Sequence, residues 1–168
     1  AVDQGVTAIA LALSRERAAL EVEARLHGDV IEALLSGELP DVEVRRLADR
    51  AGRLGLGLRR RMWVMVIRPD DEAAMGAFTD PELARTLMRT VVTRVRSRHQ
   101  SPVVIDRGGA LIALVPEPAA ASHVERTGEL VLDAVARATG VASFSVGVSG
   151  ASVDVGALHR AYGQAQLA

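Results

Sequence analysis

The sequence contains no cysteine and no lysine, and each absence excludes a class of chemistry. Without cysteine the chain forms no disulfide, has no thiol nucleophile and offers no thiolate to zinc. All twenty basic residues are arginines, so the chain lacks both a Schiff-base lysine and the lysine of a P-loop.

Aromatic residues and long apolar runs are also scarce. Only 2% of the residues are aromatic, too few for a platform on which single-stranded nucleic acid stacks. The net charge of −1 gives no general attraction to nucleic acid or to an anionic membrane. No apolar run approaches the ~20 residues that cross a bilayer. Arg15 and Arg17 follow the first apolar segment, the reverse of the order in a secretion signal. We therefore expect a cytoplasmic protein with no membrane partner.

The stretch from Val103 to Pro116 predicts a β-hairpin around which the rest of the chain can be arranged. Two apolar runs, Val103–Ile105 and Ala110–Val115, flank the segment Asp106–Gly109. The paired glycines of that segment supply the positive φ that a tight hairpin turn requires. Neither run alternates with polar residues, so we expect the hairpin to lie in a sheet covered by helices.

The pattern from residue 62 onward predicts a strand, a helix, two strands, a helix, a strand and a helix. The predicted elements are a strand at Met62–Ile67, a helix from Thr79 to Arg98, the hairpin, a helix ended by Gly140, a strand at Phe144–Val148 and a helix at Val155–Ala168. This order predicts an α+β, ferredoxin-like domain, an antiparallel sheet with helices on one face.

Two helices are predicted before this domain, a long one over Val6–Ser36 and a short one over Asp41–Leu54. We place the domain boundary between residues 57 and 58. The long helix has an apolar seam that packs either on the domain body or on a second copy of the same helix. The candidate dimer seam consists of Ile9, Leu13, Leu20, Ala24, Ile31 and Leu34.

The remaining polar clusters are typical of solvated surfaces and connecting segments. Asp70-Asp71-Glu72 follows a strand, where a magnesium site is an alternative to a turn. The four histidines lack metal-ligand spacing. Arginines make the predicted helix from Thr79 to Arg98 basic, which fits a solvated face better than a phosphate-binding patch. We predict no metal, cofactor or catalytic residue.

The order of elements and several local motifs resemble the GGDEF domain of diguanylate cyclases. The family's hairpin turn reads Gly-Gly-Asp/Glu-Glu-Phe, and here Gly108-Gly109 is followed by Ala110-Leu111-Ile112. Phe144–Val148 is similar to the family's Thr-x-Ser-x-Gly strand.

The departures from this family concern the metal-binding carboxylates. The resemblance implies one acid in the first strand, where this chain has Val64–Ile67, and others at Ala110 and Leu111. The inhibitory Arg-x-x-Asp motif is absent as well, since residues 99–102 read His-Gln-Ser-Pro. Because phosphoryl transfer requires metal ions to neutralise the triphosphate, we expect no cyclase activity.

A degenerate GGDEF-like domain of this kind is found in the middle of PucR/CdaR-type bacterial transcriptional regulators. The stretch Arg25–Gly37 resembles the linker helix of those regulators, and Arg53–Leu56 and Gly147–Gly150 are also typical of them. The resemblance implies a sensory domain upstream, a DNA-binding helix-turn-helix domain downstream and a homodimer. DNA would then be contacted only through that downstream domain.

The expected function is a non-catalytic regulatory and dimerisation module that relays an effector signal to a DNA-binding domain. The alternative is a nucleotide or small-molecule receptor without turnover, whose candidate ligand-binding residues are Arg107, Gly108 and Gly109, because bare backbone amides and an arginine suit a phosphate. A third, enzymatic hypothesis uses Asp70, Asp71 and Asp106 as replacement metal ligands.

Overall fold

The structure is a computed structural model, and it describes residues 27–117 and 119–168. The helices are α1 (27–35), α2 (Asp41–Arg53), α3 (Glu72–Thr79), α4 (Pro81–Arg96), α5 (Ala121–Thr139) and α6 (Leu158–Leu167), the last preceded by a 3₁₀ turn at Val155–Ala157. The strands are β1 (Met62–Pro69), β2 (Val103–Asp106), β3 (Leu111–Pro116) and β4 (Phe144–Val148). No helix in these ranges is long and apolar enough to cross a membrane.

The four strands form one sheet in the order β2-β3-β1-β4. Every neighbouring pair is antiparallel, and the β1–β3 register places Met62 opposite Pro116 and Ile67 opposite Leu111. The predicted hairpin is β2–β3, with β2 at one edge and β3 in the centre. The predicted α+β fold with a ferredoxin-like antiparallel sheet is therefore confirmed.

Helices cover both faces of the sheet, which corrects the prediction of helices on one face only. The central strands β1 and β3 are buried at every position from 62 to 67 and from 111 to 116. Their alternate residues enter two separate cores, one shared with α1, α2 and α6 and the other with α3, α4 and α5. The physical reason is the missing polar alternation, because a strand that is apolar throughout needs a cover on each side.

The described part of the N-terminal segment belongs to the first of these cores. Ile31 and Leu34, two members of the predicted dimer seam, are buried at 0% and 2% exposure against their own chain. At these two positions the seam packs on the domain body, the first of the two alternatives that the sequence left open. The other seam residues, Ile9, Leu13, Leu20 and Ala24, lie outside the described residues.

The sequence Thr79-Asp80-Pro81-Glu82 predicts a helix start, with a capping side chain, a proline in the first turn and an acid close behind, and α4 begins there. The carboxylate of Asp80 accepts hydrogen bonds from the backbone N–H groups of Glu82 and Leu83, both at 2.9 Å, and Pro81 occupies the first turn. This is the arrangement expected from a capping acid followed by proline.

Helix α3 was not predicted, and the acidic residues at its start, Asp70-Asp71-Glu72, were interpreted as a solvated turn. Asp71 caps this helix by accepting a hydrogen bond from Ala74 N at 2.9 Å. The helix has only eight residues and contains Gly76, so its periodic signal in the sequence is weak.

Strand β4 is held between helices by two glycines. A Cβ atom built on Gly147 would lie 1.8 Å from the backbone oxygen of Ala165 in α6. On the opposite face, a Cβ on Gly128 of α5 would lie 2.7 Å from Cγ1 of Val146. Both helices therefore approach β4 more closely than any side chain at these positions would permit.

Candidate functional site

The hairpin turn has the geometry that the paired glycines predict. Arg107 N donates to Ala110 O at 2.8 Å and Ala110 N donates to Arg107 O at 3.2 Å. Gly108 and Gly109 have φ values of +60° and +82°. A two-residue turn with both central φ values positive matches the twist of the flanking strands.

The side chain of Arg107 connects this turn to two helices. Its Nε lies 2.9 Å from Oε1 and 2.8 Å from Oε2 of Glu32 in α1. Its guanidinium carbon lies 4.8 Å from the ring centroid of Tyr162 in α6. Only 20% of the Arg107 side chain is exposed. We call the group Glu32, Arg107 and Tyr162 the junction.

Further hydrogen bonds continue from the junction along α6 to the end of β1. Tyr162 Oη accepts from Gln166 Nε2 at 2.8 Å, and the backbone oxygen of Gln166 accepts from Arg68 Nη1. Arg68 Nε donates to Ser145 Oγ at 3.2 Å, and Ser145 Oγ donates to Asp70 at 2.7 Å. Helix α1, the hairpin turn and α6 are thus joined by one continuous set of contacts.

The glycines of the turn lie on the other side, next to α3. A Cβ on Gly109 would be 3.5 Å from Sδ of Met75, whose side chain is 48% exposed, whereas one on Gly108 would meet nothing within 4 Å. The three candidate ligand-binding residues are consecutive in the chain. The guanidinium of Arg107 is nevertheless directed toward α1 and α6 and not toward the two glycines. A ligand that used all three residues would have to detach Arg107 from Glu32.

The positions that hold metal in cyclases do not fit a metal ion here. Val64–Ile67, the stretch in which the resemblance implies the first acid, and Leu111 are buried in the apolar cores. A hydrogen bond from the Ser143 side chain, followed by one from the Ala74 backbone, holds the pKa of the Asp71 carboxyl below its usual value. The Asp70 carboxylate accepts a hydrogen bond from the hydroxyl of Ser145. Both acids are therefore already engaged in hydrogen bonds that stabilise the local structure.

Within residues 27–117 and 119–168, no group of three or more His, Asp or Glu side chains is placed to hold a metal ion. The structure accordingly does not bring Asp70, Asp71 and Asp106 together.

Sequence reasoning did not find Glu32 and Tyr162 as partners of Arg107. Seventy-five residues separate Glu32 from Arg107, and no short-range motif relates them. Tyr162 lies on α6 and is partly buried against the first core.

Fold and site together define an α+β domain with a cyclase-like hairpin whose turn lacks carboxylates. A family profile described as "GGDEF-like domain" matches residues 36–168, more than three quarters of the chain. The chain belongs to this GGDEF-like domain family. No curated protein matches it significantly.

Proposed function

We propose that this chain is a non-catalytic regulatory module of a PucR/CdaR-like transcriptional regulator. It relays the state of an upstream sensory domain to a DNA-binding domain downstream. The proposal is supported by the apolar residues of Val64–Ile67, Ala110 and Leu111, where the cyclases have metal-binding acids, and by the similarity of residues 25–37 to the regulators' linker helix. The single observation that carries it is the junction, because the junction joins the linker helix to the last helix.

The relay operates through the orientation of α1 relative to α6. A displacement of α1 breaks the contact between Glu32 and Arg107, and Arg107 then loses the position that holds it over Tyr162. Because Glu32 is 51% exposed, the ion pair contributes only about 1 kcal/mol. The cation–π contact adds about 0.5–1 kcal/mol. Interactions of this size bias a two-state equilibrium about tenfold for each 1.4 kcal/mol, so an upstream domain can reverse them.

Dimerisation of this module, in the same proposal, uses residues N-terminal to the described part of α1. Ile31 and Leu34 belong to the monomer core, which leaves Ile9, Leu13, Leu20 and Ala24 of the original seam. We expect the change Leu13→Asp to weaken self-association in sedimentation experiments. An unchanged association constant would contradict the dimer part of the proposal.

The relay is tested by hydrogen exchange in variants that open the junction. Glu32→Gln removes the charge that holds Arg107, and we expect backbone exchange in Leu158–Leu167 to become about fivefold faster, the equivalent of about 1 kcal/mol. Glu125→Gln is the matched control, since Glu125 is exposed on α5 and outside the junction. Equal exchange rates in the two variants would contradict the relay.

The absence of catalysis in this proposal is tested by incubating the chain with GTP and Mg²⁺. We expect the nucleotide to be recovered unchanged, because the residues at Val64–Ile67, Ala110 and Leu111 offer no carboxylate to a metal ion. Release of pyrophosphate above the rate in buffer would contradict a non-catalytic role.

The receptor alternative has less support than the relay. It assigned the phosphate to Arg107, whose guanidinium is already bound by Glu32 and stacked on Tyr162. Only the turn amides of Gly108 and Gly109 remain for it. If GTP binds and Arg107→Ala abolishes that binding, the receptor alternative is preferred.

A further inference from the structure

A cavity of about 420 Å³ lies at the end of the sheet opposite the hairpin turn. The six residues of β3, spanning about 20 Å, separate it from the turn. Its walls come from the segment before β1, the loop after α4, the end of β3 and the first half of α5. Five basic side chains contribute to these walls, namely Arg60, Arg98, His99, His123 and Arg126.

The positive charge of this pocket is not balanced by acids. Arg60, Arg98 and Arg126 form no ion pair within the described ranges 27–117 and 119–168. Glu117 is the one carboxylate among the described lining residues. Its Oε1 accepts a hydrogen bond from Ser152 and lies 3.6 Å from Nε of Arg61, so it is already paired outside the pocket.

The imidazole of His99 has a defined position in the pocket wall. The hydroxyl of Thr127, a residue only 2% exposed, donates to the backbone oxygen of His123 at 2.8 Å. The same hydroxyl oxygen lies 2.8 Å from Nε2 of His99 and therefore acts as the acceptor there. Nε2 of His99 is therefore the donor in this contact. The buried hydroxyl of Thr127 on α5 holds the imidazole in place.

The pKa of His99 is shifted in the direction expected from its surroundings in the pocket wall. Burial, and then the positive charges of His123 and Arg98, lower the pKa of His99. The burial part of this pKa shift says nothing about the sign of a ligand, whereas the smaller part from the two positive neighbours agrees with the unpaired arginines that line the pocket.

Size and lining narrow the class of anion. A volume of 420 Å³ is within the range of pockets for small organic ligands, roughly 300–1,000 Å³, and is larger than one phosphate group requires. Pro116, Ala119 and Leu130 supply apolar surface beside the arginines. Arginine forks match phosphate oxygens bidentately, whereas apolar walls suit the carbon skeleton of the same molecule.

We propose that this pocket binds a small organic phosphate, with Arg60, Arg98 and Arg126 holding the phosphoryl group. The proposal does not depend on the relay through the junction. It requires neither the turn glycines nor Arg107.

Calorimetric titration of the chain in a phosphate-free buffer tests the proposal. The probes are ribose 5-phosphate, adenosine 5′-monophosphate, ribose and inorganic phosphate. We expect saturable one-site binding of at least one of the two organic phosphates, no binding of ribose, and weaker binding of inorganic phosphate. Failure of both organic phosphates to bind overturns the proposal, and inorganic phosphate binding as tightly as they do overturns its organic part.

Variants locate the binding site. Arg126→Ala and Arg98→Ala each remove one charge-assisted contact and are expected to weaken binding about 10- to 100-fold. Arg89→Ala is the matched control, because Arg89 is exposed on α4 and outside the pocket. Equal weakening by Arg89→Ala, or full affinity in both pocket variants, overturns the assignment. Circular dichroism of each variant establishes that a loss of binding is not a loss of fold.

Discussion

Replacing Gly147 by alanine tests the contact that fixes the last helix on the sheet. The added Cβ would lie 1.8 Å from the carbonyl oxygen of Ala165 and 2.9 Å from its carbonyl carbon. Ordinary non-bonded contacts are near 3.5 Å, so the two backbones must separate by roughly 1.5 Å. The obstacle is backbone in both elements, and a change of rotamer does not relieve it.

The expected cost follows from what α6 buries. Leu158, Ala161 and Ala165 are each at most 1% exposed in the core beneath this helix, and a retreat of α6 loosens all three. Overpacking a core typically costs about 1–3 kcal/mol, and a clash between backbones belongs at the upper end. We therefore expect Gly147→Ala to lower the free energy of unfolding by about 3 kcal/mol, a large part of the ~5–15 kcal/mol of a typical domain. The corresponding fall in melting temperature is about 6–12 °C.

Urea unfolding followed by circular dichroism measures this change. The matched control is Gly163→Ala in α6, where an added Cβ meets nothing within 4 Å. Since alanine is favoured over glycine in a helix, the control is expected to gain up to about 1 kcal/mol. If Gly147→Ala is as stable as the wild type, the placement of α6 against β4 is refuted, and with it the position of Tyr162 at the junction.

Three further predictions concern the core, a helix cap and pH. Leu34→Ala should lower the free energy of unfolding by about 2–5 kcal/mol at any protein concentration, because Leu34 is a core residue; a loss that depends on concentration would favour a dimer seam. Asp80→Ala should cost about 1 kcal/mol in urea unfolding through loss of the α4 cap, whereas Asp41→Ala should cost less, since no side-chain cap bond is formed at α2. Burial lowers the pKa of His99 in the folded chain, so near pH 6.5 the unfolded chain binds more protons than the folded chain. The contribution of His99 to stability is therefore full above that pH and is lost as the pH falls toward the folded pKa. His99→Gln should flatten this part of the pH profile of urea unfolding, and an unchanged profile would contradict the burial assigned to His99.

Local sequence patterns were sufficient to predict most of the fold. The hairpin followed from two apolar runs around Gly108-Gly109, and the start of α4 followed from the capping acid at Asp80. The hairpin and the helix start are each determined by residues within a few positions of each other. The order of the strands in the sheet then follows, because a strand–helix–strand–strand sequence permits few connections.

The interactions of α1 were beyond such patterns. An apolar helix seam has the same spacing whether it packs on its own domain or on a second copy, so the sequence alone could not choose between the two for Ile31 and Leu34. The order of the elements predicts helices on one face of the sheet. Only the strands that are apolar throughout indicate that helices cover the other face as well.

The candidate site was predicted only in part, for a related reason. The turn and its glycines were located correctly, whereas the role of Arg107 depends on Glu32 and Tyr162, which reach it through tertiary packing. Likewise, the basic pocket is assembled from four segments: the one before β1, the loop after α4, the end of β3 and the first half of α5. No single one of them is distinctive.

The most direct test of the relay is a double-mutant cycle between Glu32 and Arg107, read by hydrogen exchange in Leu158–Leu167. The account predicts that Glu32→Gln and Arg107→Gln each accelerate exchange in α6, and that the double variant exchanges no faster than the Arg107 variant alone. Additive effects would mean that the two residues act on α6 independently. Exchange in α6 that stays at the wild-type rate in all three variants would contradict the claim that the junction connects the linker helix to the last helix.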